Sequence, residues 1–170
     1  LATVMRPTDQ VLGLDHKGVI RGVDESGKAK SVPGVFIYRF NSPLTYFNAT
    51  YFKRRLLEKF IRESEPVDCI IIDAVPCFTH LDLSVMAMLA DLHQLLKKRG
   101  VRLVLAGRKR QMLSWFEQAG MQTGEGGILI RPDLYLALKM NQSYKQALAE
   151  GQAPVIQKVP DDSVLLHSHL

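Results

Sequence analysis

Nowhere in the 170 residues do mainly apolar side chains follow one another for the roughly 20 positions that a membrane-crossing helix needs. The best stretches, 69–78 and 85–90, are short, and Asp73 interrupts the first. The chain as it stands is therefore not itself a channel or carrier. There is no basic-then-apolar leader with a small-residue cleavage site, and the sequence starts at Leu1, so it reads as a piece of a longer polypeptide. Cysteine is scarce: Cys69 and Cys77 are the only two, too few for a disulfide scaffold. Both sit in or beside one apolar stretch, where a free thiol behaves as a small buried hydrophobe, and a reducing cytosolic setting is the expectation. Acidic residues are missing from 97–110, which holds Lys97, Lys98, Arg99, Arg102, Arg108, Lys109 and Arg110. That stretch predicts a basic surface patch, which suits anionic lipid, nucleic acid or an acidic protein.

What is present is enough for one core. With 46% apolar and 23% charged residues the chain is neither disordered in composition nor too small to bury a centre, and its length suits a single domain. Val35 to Phe40 is a β-branched and aromatic run between Pro33-Gly34 and Asn41-Ser42-Pro43, as a strand between turns should be. After Asn48, a suitable N-cap, Phe52, Leu56 and Phe60 recur every four residues, predicting a helix that stops before Pro66. Val67 to Val75 reads as a central strand covered on both faces. A helix then starts near Asp82 and runs through Val85, Leu89, Leu92 and Leu96 to Gly100. Strand 101–106, helix 108–119, strand 128–130 and an interrupted helical pattern from Arg131 to about Glu150, with Pro132 in its first turn, complete the series. Strands and helices alternating at these spacings predict an α/β fold with a largely parallel sheet. Residues 9–34, with the apolar pairs Val11-Leu12 and Val19-Ile20, predict an irregular hairpin-like strand at an edge.

In such sheets ligands meet the carboxyl ends of the strands, where helix N-termini direct free amides outward. That rule selects 77–84, ahead of the second helix, and Gly107-Arg108-Lys109-Arg110, ahead of the third. His80, Asp82 and Ser84 invite a catalytic-triad reading, but residues two apart on one short loop do not place a base between nucleophile and acid. Asp82 or Ser84 is read instead as capping the helix, with His80 at the rim. Gly124-Glu125-Gly126-Gly127 matches neither phosphate-loop pattern and predicts a turn. Two tail imidazoles, His167 and His169, do not make a metal site, so no metal and no cofactor is expected. The helical spacing of Trp115 and Phe116 points them to the core, so the neighbouring cations are expected to face solvent or a protein partner rather than nucleic acid.

Several motifs together are similar to a known family. The segment from Pro33 through Tyr38-Arg39-Phe40, Pro43-Leu44, Phe47-Asn48-Ala49 to Leu56 resembles the start of the C-terminal domain of sulfate-permease transporters. Arg6-Pro7 followed by Val11-Leu12-Gly13 resembles the stretch that follows their last membrane helix. Ile72-Asp73, Asp82, the helix to Gly100 and Val104 to Gly107 resemble the STAS domain, which those transporters share with bacterial anti-sigma factor antagonists. The resemblance covers about residues 6–140. It implies one STAS-like domain at 9–150, with a mostly parallel sheet, helices mainly on one face and an antiparallel N-terminal edge strand. Residues 1–8 would be a linker from an absent membrane domain, and 151–170 a tail. It further implies a non-enzymatic regulatory module at the cytoplasmic face of the membrane, whose partners are the parent's transmembrane domain and, in addition, a cytosolic protein or a nucleotide. Membrane association is expected only through the absent part. The regulatory or anion-binding candidates are Thr79, Asp82, Ser84, Gly107, Arg108, Lys109 and Arg110. One departure stands out: stand-alone antagonists carry Asp-Ser-Ser-Gly with the first serine phosphorylated, and here Leu83 takes that place. Only Ser84 or Thr79 could then accept a phosphate, which a helix N-terminus tolerates.

Overall fold

The computed structural model describes residues 7–158; Arg6, most of the expected linker, His167 and His169 lie outside them. In chain order the elements are β1 (Asp9–Asp15), β2 (Ile20–Gly22), β3 (Ala29–Lys30), β4 (Gly34–Phe40), α1 (Ala49–Phe60), β5 (Val67–Asp73), α2 (Leu83–Lys97), β6 (Arg102–Ala106), α3 (Lys109–Gln118), β7 (Leu129–Arg131), α4 (Leu134–Lys139) and α5 (Gln142–Ala149). They build one seven-stranded sheet ordered β2-β1-β4-β5-β6-β7, with β3 also pairing with β1. From β4 to β7 all neighbours are parallel, and α1, α2 and α3 each carry the chain from one strand to the next.

The N-terminal addition is larger than the single edge strand expected. β1 is an inner strand, antiparallel to β2 on one side and to β3 and β4 on the other. The turn that makes this possible is organised by Asp15, whose carboxylate accepts from Lys17 N (2.9 Å), Val19 N (2.9 Å) and Arg21 Nε (2.8 Å).

Alternation along β4 sends Phe36, Tyr38 and Phe40 to one face and Val35 and Ile37 to the other. The aromatic face receives the three long helices. Phe52 of α1 stands edge-on to Tyr38 and Phe40, with ring centroids 5.6 and 5.2 Å away, and it is wholly buried. Burial of such a ring contributes about 2–3 kcal/mol. The second face is covered by the two short helices, which lay Ala137, Leu138 and Tyr144 on Ile37, Ile71 and Val104. Three long helices on one face and two short ones on the other fit the expectation of helices mainly on one side.

The interrupted pattern from Arg131 to Glu150 resolves into two helices, the Asn141 side chain accepting from Tyr144 N at 3.0 Å to start the second. Two expectations near the C-terminus are corrected. Pro132 precedes the N-cap Asp133 instead of occupying the first turn. The segment after Gly151, expected as tail, is packed as far as Gln157. Tyr144 Oη donates to Pro154 O and accepts from Ile156 N, both at 2.8 Å, and Gln157 N donates to Gly18 O at 2.8 Å. Gly18 must be glycine here, because a Cβ would collide with the Val155 carbonyl.

The start of β1 is fastened to α1. Asp9 accepts from Tyr38 Oη (2.6 Å) and from Arg55 Nε and Nη2 (3.1 Å each), and Lys59 Nζ lies 2.9 Å from its Oδ1. Burial alone would raise the Asp9 carboxyl, but these hydrogen bonds outweigh it and hold the group below the ordinary carboxylate value. Burial, together with the same contact, pushes the Tyr38 hydroxyl far up.

Candidate functional site

The parallel strands deliver their carboxyl ends, and the N-termini of α1, α2 and α3, to one end of the sheet. β5 closes there on a well-tied corner. Asp73 accepts from Val75 N (3.1 Å) and lies 3.9 Å from Arg39 Nε, both side chains being buried. Cys77 Sγ donates to Asp73 O at 3.3 Å. Burial pushes the Cys77 thiol well above its ordinary value and that of Cys69 to about 11. Both cysteines are therefore core atoms rather than nucleophiles.

Asp82 is the N-cap of α2, as expected, with Oδ1 accepting from Ser84 N (2.8 Å) and Val85 N (3.2 Å). Its other oxygen accepts from Tyr46 N at 3.0 Å, which joins the loop before α1 to the start of α2. The α2 amides are thus satisfied by the protein's own carboxylate, and an incoming anion finds neither those donors nor a favourable charge at 82–84. Ser84 is exposed, and Leu83 beside it is 66% exposed. Thr79 Oγ1 and His80 Nδ1 are paired at 3.1 Å. Among the described residues no hydrogen bond links His80 to Asp82 or Ser84, so the triad does not assemble.

The second segment has a different character. Gly107 has φ +106°, and a Cβ there would stand 2.7 Å from Val75 Cγ2, so glycine is required by both backbone and packing. Arg108 follows at φ 52°, the sole left-handed non-glycine among the described residues. Its Nε donates to Val75 O at 2.9 Å, which helps hold a conformation that costs about 1 kcal/mol or more. The side chain thereby ties β6's exit to β5's. α3 has neither a side-chain cap nor an acidic residue in its first turn, and Lys109 and Arg110 are exposed. This corner is the positive one.

The basic stretch 97–110 is not one patch. Lys97, Lys98, Arg99 and Arg102 lie where β6 begins, and Arg108, Lys109 and Arg110 where it ends, with β6 running between them, roughly 17 Å long. Tyr46 and Phe47, which are not among the candidate site residues, are 69% and 91% exposed with ring centroids 5.4 Å apart. A signal was available: both precede the Asn48 cap and fall out of phase with the Phe52-Leu56-Phe60 stripe. With Leu83 they make an uncovered apolar rim beside Asp82. The end of the sheet therefore offers rings, an aliphatic tip and cations, which suits recognition of another surface.

Among the described residues no helix is long and apolar enough to cross a membrane, and no cluster of three or more His, Cys, Asp or Glu could hold a metal ion.

Comparison with known proteins agrees with this architecture. A probable sulfate transporter of Mycobacterium tuberculosis is 31% identical over 114 residues, covering 66% of this chain and 20% of that protein. High affinity sulfate transporter 2 of Stylosanthes hamata is 32% identical over 115 residues, 62% of this chain and 17% of its own length. The chain thus corresponds to about a fifth of the length of these relatives. Among solved structures, the murine solute carrier 26 family member A9 anion transporter superposes with a TM-score of 0.68 over 79% of this chain and 22% of that one. Its sequence identity is 20%, so the likeness is one of fold. Residues 28–135 match the STAS domain, and the chain belongs to that family.

Proposed function

We propose that this chain is the cytoplasmic regulatory domain of a sulfate-permease-type anion transporter, sulfate being the favoured substrate of the parent. The observation that carries the reading is the STAS match at 28–135 together with relatives named as sulfate transporters, of whose length the matched part is about a fifth. In this reading residues 1–8 connect to the membrane part, the domain acts by binding rather than by turnover, and the carboxyl end of the sheet is its working surface. There Asp82, Gly107 and Arg108 fix the shape of the loops, and Thr79, Ser84, Lys109 and Arg110 are the outward contacts. Tyr46, Phe47 and Leu83 add the apolar area that the sequence candidates alone would not supply. The surface is complementary to an acidic, partly apolar face of the parent's transmembrane domain or of a cytosolic protein.

The test is labelled sulfate uptake by cells carrying the full reading frame. Replacement of Phe47 by Ser together with Lys109 and Arg110 by Glu is expected to lower uptake with unchanged amounts of protein in the membrane. A reading frame without membrane spans, or uptake indifferent to deletion of the domain, would sink the proposal. A stand-alone antagonist switched by phosphate is the weaker reading, because Leu83 occupies the acceptor position.

A further inference from the structure

At the opposite end of the strands a cleft of about 360 Å³ opens between the last turns of α2 and the loop 124–127. Its size falls within the ~300–1,000 Å³ typical of small-molecule sites. Lys97, Arg102 and Arg131 line it against a single acid, Glu125, and Val101 and Leu129 give it apolar wall. His93 also lines the cleft, and a neighbouring hollow of about 180 Å³ shares His93, Lys97, Gly126 and Gly127 with it. His93 Nδ1 is buried without a hydrogen-bond partner, the one such side-chain atom among the described residues. A buried polar atom in that condition calls for a partner the chain does not provide.

The loop itself is shaped by glycine. Gly124 and Gly126 have φ of +89° and +83°, and a side chain at either would meet nothing within 4 Å, whereas a Cβ at Gly127 would strike Gln122 O at 2.6 Å. Gly124 N and Gly127 N close the turn on Ile128 O and Gly124 O. The loop therefore leaves space beside the cations instead of filling it.

We infer that this cleft binds a small organic phosphate, the phosphoryl group meeting Lys97, Arg102, Arg131 and His93 and the carbon body lying on Val101 and Leu129. Three cations and an imidazole are the donor set that a phosphate dianion selects, and the planar guanidinium groups pair with its oxygens two at a time. The cleft does not depend on the reading proposed above, although Arg131, whose carbonyl accepts from Gly107 N at 3.0 Å, joins it to the carboxyl end of β7. Binding involves no bond making or breaking.

Amide and imidazole NMR shifts of the 170-residue chain test it, with phenyl phosphate, inorganic phosphate, phenol and chloride as probes at matched ionic strength. Phenyl phosphate is expected to move His93, Gly126 and Gly127 saturably and to bind several-fold tighter than inorganic phosphate, with phenol and chloride leaving these signals in place. Arg102→Gln combined with Arg131→Gln, both on solvent-accessible side chains, is expected to weaken binding at least tenfold at an unchanged melting temperature, and Glu125→Gln to tighten it. Equal shifts with phenol or chloride, full affinity in the double variant, or inorganic phosphate binding as well as phenyl phosphate would each overturn the assignment.

Discussion

Replacing Asp9 by Ala removes the acceptor that binds β4's Tyr38 and α1's Arg55 and Lys59 to the first strand. Tyr38 is wholly buried and donates to a charged oxygen, a bond worth about 1.5–3 kcal/mol. Arg55 and Lys59 are 30% and 23% exposed, so solvent screening reduces each ion pair to about 0.5 kcal/mol. The expected loss is about 3 kcal/mol, a large share of the ~5–15 kcal/mol that stabilises an ordinary domain. Glu58 is the internal control: its pairing with Arg54 at 3.9 Å is between side chains 56% and 43% exposed, and its contact with Arg55 is at 3.4 Å, so Glu58→Ala should cost no more than about 0.5 kcal/mol. Urea unfolding followed by circular dichroism measures both. Tyr38→Phe should cost less in the Asp9→Ala background than in the native protein, because the bond is already gone. If Asp9→Ala costs as little as Glu58→Ala, or if the two substitutions at 9 and 38 add without coupling, the fastening of β1 is not what the geometry says it is.

Both Asp9 and Asp15 are held below the ordinary carboxylate value despite burial, Asp9 by Arg55, Tyr38 and Lys59, and Asp15 by Arg21 and the amides of Val19 and Lys17. Depressed carboxylates stabilise fully above the unfolded value of 3.8 and lose that contribution as pH falls through the folded value, so the urea midpoint should drop below about pH 4, and less steeply in Asp9→Asn. Gly107→Ala should cost about 1–3 kcal/mol in thermal unfolding, from the φ of +106° and the 2.7 Å approach to Val75; an unchanged melting temperature would contradict that. Asp82→Ala should cost about 1–2 kcal/mol through the lost cap and speed hydrogen exchange at Tyr46 N, which gives up its acceptor. Cys69 and Cys77 should both resist a disulfide reagent at pH 8 until the protein is unfolded, and one fast-reacting thiol would show the corner after β5 to be open.

The parallel half of the fold was legible because its signals are local and redundant. Val35 to Phe40 has β-branched and aromatic side chains between turn residues, Phe52, Leu56 and Phe60 keep one helical phase, and Asp82 stands where a cap should. The antiparallel half was less legible because β2 and β3 are three and two residues long and owe their strand form to pairing with β1, not to their own composition. Asp9 gave no sign of its role, since its partners Tyr38 and Arg55 come 29 and 46 positions later. The carboxyl end of the sheet was partly legible: the rule of strand ends pointed to the corners that Asp82 and Arg108 shape, and the left-handed turn at Arg108 was hidden because arginine does not ordinarily announce it. Residues 151–157 looked like tail because Gly, Gln and Pro conceal a docking segment whose anchor, Tyr144, belongs to the preceding helix.

Leu83 stands in the open at the first position of α2, where a hydroxyl would make the end of the sheet writable by a kinase and erasable by a phosphatase. With a hydrocarbon in that spot, the corner keeps no chemical memory there. In the reading proposed above, a partner docking beside Leu83 acts through occupancy rather than through a covalent mark at that position.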